Sequence, residues 1–126
     1  MEAPQLDALA NDFFTAISER DLERVGEIYD PAVEVWHNVT QRTQTRDENL
    51  ELLDRFTSGV SGLRYEVHAR DFFPGGFVQR HTLHGRTQSG EGIAAPVCIV
   101  IHAADGRIQR LFEYLDARAV APAFAG

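Results

Sequence analysis

The sequence predicts an α+β domain: a cone-shaped, curved antiparallel β-sheet wrapped by three N-terminal helices, with an internal cavity. Three observations carry this expectation. Apolar side chains recur at helical spacing near the start of the chain and at a spacing of two from Leu63 onward. The later segments are joined by short turns rich in Gly, Pro and Asp, as antiparallel hairpins require. Helices gathered to one side of an antiparallel sheet give the α+β arrangement.

The elements follow in order. Leu6, Leu9, Ala10, Phe13, Phe14 and Ile17 form one continuous apolar face, which predicts a helix over 4–19. Asp21 is a suitable N-cap for a second, short helix carrying Leu22, Val25 and Ile28, which Asp30-Pro31 should stop. The stretch VEVWHN (33–38) changes to β-branched and aromatic residues and reads as a strand. Thr45 and Glu48 have the spacing of a capping box, opening a third helix with Leu50, Leu53 and Phe56 that ends near Gly59. Four strands should follow at 63–73, 77–87, 93–103 and 107–116, paired as a meander. The tail ARAVAPAFAG is small and apolar and is assigned no element.

With 126 residues the chain is read as one domain over 1–126. Twelve Lys and Arg against nineteen Asp and Glu leave a net charge of −7, which argues against nucleic acid as a partner. The single cysteine, Cys98, cannot form an intrachain disulfide and lies in an apolar stretch. The acidic MEAPQLDALAND start lacks the features of a signal peptide, and IAAPVCIVI (93–101) is too short to span a bilayer. The expectation is a cytoplasmic protein with no membrane partner.

Candidate chemistry comes from asking which faces look inward. On 63–70, Leu63, Tyr65, Val67 and Ala69 share an apolar face, while Arg64, Glu66, His68 and Arg70 share a wet one. On FVQRHTLHG (77–85), Val78, Arg80, Thr82 and His84 resemble that wet side. Phe77, Gln79, His81 and Leu83 are apolar at the ends and polar in the middle, the pattern of a cavity wall with polar groups aimed at one point. The alternative is that Gln79 and His81 only satisfy neighbouring groups in the interior. Trp36 and Asn38 share one face of 33–38. There Trp36 reads as core, and Asn38 as either cavity wall or strand-ending turn residue. Glu113 lies between Leu111 and Leu115 on one face, a carboxylate in an apolar wall suited to proton transfer, unless Arg80 or Arg110 neutralises it. Asp116 at the strand end is a second carboxylate, or a solvated cap. The histidines show no metal-ligand spacing, so no metal site is expected.

The element order, the VWHN strand end, the QRHTLHG strand and the terminal DGRIQRLFEYLD together resemble the NTF2-like superfamily. Within it, the SnoaL-like polyketide cyclase, ketosteroid isomerase-like and limonene epoxide hydrolase-like branches are the most similar, over about Leu6 to Asp116. The resemblance to the cyclase branch implies substrate-binding roles for Gln79, His81 and Asn38 beside a catalytic carboxylate. The resemblance to the hydrolase branch implies a water held near Trp36, Asn38 and Glu113. That branch also needs an Arg-x-Asp, and neither Arg80-x-Thr82 nor Gln79-x-His81 supplies the Asp, so limonene-type epoxide hydrolysis is disfavoured. The expected function is acid–base catalysis on a small, apolar, carbonyl-bearing substrate, of isomerase, cyclase or hydratase type. His81 would be the base and Glu113 would orient it or act as second acid. Gln79 and Asn38 would be oxyanion donors, with Trp36, Phe77 and Leu83 as apolar contacts. No cofactor is expected, and a homodimer is implied by analogy. The alternative is a non-catalytic ligand-binding or dimerisation module of the same fold.

Overall fold

A computed structural model describes residues 1–124; Ala125 and Gly126, the end of the tail, lie outside the described residues. Helix α1 spans Ala3–Ser18 and α2 spans Leu22–Ile28, capped by Asp21 through the Arg24 N–H at 3.1 Å. Strand β1 then runs over Tyr29–His37, followed by β2 (Arg42–Gln44) and α3 (Arg46–Ser58). The capping box of α3 is formed in both directions. The Glu48 N–H donates to Thr45 Oγ1 at 3.3 Å, and the Thr45 N–H donates to Glu48 Oε1 at 2.9 Å. Strands β3 (Val60–Phe73), β4 (Gly76–Thr87), β5 (Gly92–Ala104) and β6 (Arg107–Leu115) complete the sheet. Asp105 and Gly106, with φ of 55° and 78°, make the tight turn between the last two.

The curved, unclosed six-stranded sheet has the order β2-β1-β6-β5-β4-β3. It is mixed rather than wholly antiparallel, because β1 lies parallel to β6. The register pairs Val35 with Leu111, Trp36 with Phe112 and His37 with Glu113. Asp30-Pro31 does not precede β1 but lies inside it. Pro31 is exposed, in the stretch where the β1–β6 register shifts between Tyr29 and Glu34, so its missing N–H breaks no ladder bond there. The three-residue β2 has no apolar alternation to reveal it. The tail also forms structure: Asp116 caps a short helix α4 (Ala117–Val120), and a 3₁₀ turn follows over Ala121–Phe124.

The core lies between α1, α2 and the inner sheet face. Phe13, Ile28, Tyr29, Val35, Phe77, Ile101 and Ile108 are each no more than 2 % exposed. Burying side chains of this size stabilises the fold by about 1.5–3 kcal/mol each. A smaller cluster of Phe56, Leu83, Ala95, Val97 and Ala123 sits under α3 and the tail. No helix among the described residues is long and apolar enough to cross a membrane.

One irregularity redirects a charged side chain. Between Val67 and Ala69 the β3–β4 register slips, so that Val67 pairs with His81, Ala69 with Arg80 and Arg70 with Gln79. The extra residue in β3 is a β-bulge, and it reverses which face the following residues occupy. Arg70, expected on the wet face with Arg64, Glu66 and His68, therefore turns inward, and its side chain is only 11 % exposed.

Candidate active site

A pocket of about 530 Å³ opens between α3, the tail and the inner face of the sheet. Its walls are mostly apolar: Ile17, Leu53, Phe56, Leu83, Val97 and Leu115, closed on one side by Val120 and Phe124 of the tail. Phe124 packs against Phe56, with ring centroids 5.7 Å apart. Among the polar groups that line this pocket, Glu113, His37 and Tyr65 come from the sheet, whereas Arg55 comes from α3 and Thr40 and Gln44 from the β1–β2 turn and β2.

Glu113 points inward from the centre of β6, between Leu111 and Leu115, as the alternation of that strand requires. Neither arginine neutralises it. Arg110 pairs with Glu34 at 3.5 Å, and Arg80 is exposed. Its partner is instead His37, whose Nε2 lies 3.2 Å from Glu113 Oε1. Asp116 caps α4 through the Arg118 N–H at 3.0 Å and does not line the pocket, so Glu113 is the pocket carboxylate.

The Tyr65 hydroxyl makes no hydrogen bond among the described residues, and no buried side-chain N or O there lacks a partner. The hydroxyl therefore borders accessible space. Burial first, and then the negative charge of Glu113, raise its pKa well above the usual tyrosine value, which keeps it a proton donor. The same charge acts on Tyr29, whose buried hydroxyl donates to Asn49 Oδ1 at 2.7 Å.

Phe77, Gln79, His81 and Leu83 all face inward on β4 and are at most 8 % exposed. Of these, only Leu83 lines the pocket. His81 lies behind Tyr65, with ring centroids 5.0 Å apart and the planes edge-on, and Phe14 covers its other side at 5.6 Å. Burial pushes the His81 pKa down to about 4; Glu113 opposes this, while the charges of His68 and Arg70 add to it. At neutral pH the ring is uncharged, and because it does not line the pocket it is not placed to act as the principal base there.

Two expected residues are placed elsewhere. Trp36 lies on the outer face of the sheet, where it stacks with Tyr114 at 5.4 Å and Phe112 at 6.4 Å. It is neither core nor pocket wall, because β1 turns Val33, Val35 and His37 inward. Asn38 extends the β1–β6 ladder. Its N–H donates to the Glu113 carbonyl at 3.0 Å, and its side-chain amide exchanges two 3.0 Å bonds with the Leu115 backbone. That amide is fully used by the sheet and has no donor left for an oxyanion. His37 is a pocket residue that the sequence reading does not single out: metal-ligand spacing does not reveal it, and the one local signal is the face that it shares with Val33 and Val35.

Comparison with known proteins agrees with this architecture. Residues 10–111 match the family of SnoaL-like domains, and the chain belongs to that family. No curated protein matches it. Among solved structures, a candidate SnoaL-like polyketide cyclase from Shewanella putrefaciens CN-32 is 18% identical over 98% of this chain and 98% of its own, with a TM-score of 0.81. An LEH-like epoxide hydrolase from M. tuberculosis is 17% identical over 96% of this chain and 90% of its own, with a TM-score of 0.77. A protein with a ketosteroid isomerase-like fold from Catenulispora acidiphila DSM 44928, in complex with trimethylamine, is 10% identical over 89% of this chain and 88% of its own (TM-score 0.78). At these identities the likeness is one of fold, and it assigns the chain an NTF2-like fold.

Proposed function

We propose that this protein is a cytoplasmic acid–base enzyme that isomerises, cyclises or hydrates a small, largely apolar, carbonyl-bearing substrate. One observation carries the reading: a carboxylate, Glu113, set in the apolar wall of a 530 Å³ pocket with the His37 imidazole 3.2 Å away. Removing a proton next to a carbonyl needs a base at the C–H and a hydrogen-bond donor at the oxygen that becomes negative. Glu113 takes the proton. The Tyr65 hydroxyl, held protonated, donates to the oxygen, and His37, 3.2 Å from the carboxylate, positions it. Names such as polyketide cyclase and epoxide hydrolase among the structural neighbours are in keeping with chemistry in this pocket. The same reading includes a homodimer, formed through the outer sheet face where Trp36, Phe112 and Tyr114 cluster.

A panel of enones, ketones, lactones and epoxides assayed against the wild type and Glu113→Gln tests the proposal. Turnover should appear with at least one carbonyl compound and fall by about 10²–10⁴ in Glu113→Gln. Turnover that survives this substitution removes Glu113 as the base. Thermal stabilisation by these compounds without any product favours the non-catalytic binding module.

A further inference from the structure

A line of polar groups leads from the surface of α1 to the buried His81. Asp7 and Asn11, one helical turn apart, accept from Arg70 Nη1 at 2.7 and 2.8 Å. Arg70 Nε donates to Gln79 Oε1 at 2.8 Å. A guanidinium has donors only, so the amide oxygen of Gln79 must be the atom facing it. The amide nitrogen then lies 2.9 Å from His81 Nδ1 and can only donate. Nδ1 must therefore present its lone pair, which leaves the ring proton on Nε2.

We propose that Arg70 and Gln79 are positioning residues that hold His81 neutral with its N–H on Nε2, so that a neutral donor rather than a base stands behind Tyr65 at the back of the pocket. What this does for turnover rests on the acid–base reading above, whereas the tautomer is a property of the resting protein. Nε2 has no partner among the described residues, yet no buried side-chain nitrogen there is unpartnered, so it borders accessible space. The ring lies directly against Tyr65, which lines the pocket. Tyr65 then has a neutral ring and not an imidazolium behind it, and Glu113 is left as the single base in the pocket wall. Arg70 reaches the Gln79 amide because the bulge in β3 turns it inward, which is why that irregularity matters to the site.

Nitrogen NMR of histidine-labelled full-length protein reads the tautomer directly, with the His81 signal identified by its loss in His81→Asn. The wild type should show a neutral ring protonated at Nε2 at both pH 7 and pH 5. Gln79→Glu puts a carboxylate acceptor against Nδ1 and should move the proton there, which a ring held only by packing would not do. Arg70→Met frees the amide to rotate and should give a mixture, and Arg70→Lys should restore the Nε2–H form. A wild-type ring protonated at Nδ1, or cationic at pH 7, overturns the proposal, as does an unchanged tautomer in Gln79→Glu. In a substrate assay Gln79→Glu should lower kcat with KM less affected, since it alters the group behind Tyr65 and not the pocket wall. Turnover insensitive to Glu113→Gln, alongside the expected His81 spectrum, overturns the acid–base reading and leaves the tautomer assignment standing. The opposite pattern removes the assignment alone.

Discussion

His37 Nε2 and Glu113 Oε1 face each other at 3.2 Å across the parallel β1–β6 pair, with side chains 13% and 27% exposed. The contact follows from register: both residues are inward positions on adjacent strands, and their Cα atoms are direct partners. Asn38 ties the same two strands together immediately beyond it. The pocket carboxylate thus has both its imidazole neighbour and its backbone position set by the end of β1.

If His37 and Glu113 act as a unit, their removal should be non-additive. Glu113→Gln should lower kcat by about 10²–10⁴, and His37→Phe by about tenfold or more. The double variant should be little worse than Glu113→Gln alone. Steady-state kinetics on any substrate found in the panel gives the cycle, and fully multiplicative losses would mean that the residues work independently.

Asn38→Ala should cost about 1–3 kcal/mol, because the Leu115 N–H and carbonyl both lose their partner. Asn38→Asp should not restore it: a carboxylate still accepts from the N–H but sets negative charge against the carbonyl. Urea denaturation of the two variants measures this, and an Asp variant as stable as the wild type would contradict the assigned pairing.

How far the sequence revealed this site depends on the scale of the signal. The alternation along β4 places Phe77, Gln79, His81 and Leu83 inside because period-two patterning is a direct consequence of the pleat. The same logic places Arg70 wrongly, since one extra residue in β3 inverts the pattern and no local residue type announces the bulge. Trp36 misleads because aromatic content alone suggests core, whereas the parallel register puts it outside with Phe112 and Tyr114. The His37–Glu113 pair and the pocket depend on long-range pairing, which composition and spacing do not encode. Glu113, flanked by leucines on its own face, was legible because that environment is local.

The outer face gives a prediction of its own. Tyr114 is 46% exposed and stacks on Trp36, so a partner sheet covering this patch would bury both. Tyr114→Glu places a charge there and should convert a dimer to monomer, as read by light scattering across a concentration series. A wild type that is monomeric at all concentrations removes the homodimer proposal.

The buried His81 ring should also make folding stability depend on pH in a defined direction. Its folded pKa is pushed down to about 4 from an ordinary value of 6.5. Between those values the unfolded chain binds more protons than the folded one, so stability rises with pH from about 4 and levels off above about 6.5. Moving from pH 7 to pH 5 should therefore remove about 2 kcal/mol through this residue, most of the free energy such a depression can supply. Chemical denaturation at the two pH values measures the change. His81→Asn carries no titrating ring and should be less stable at pH 7 but lose about 2 kcal/mol less on acidification, the other titrating groups being common to both. Equal pH slopes in the wild type and His81→Asn would show that the ring is not held neutral by the fold.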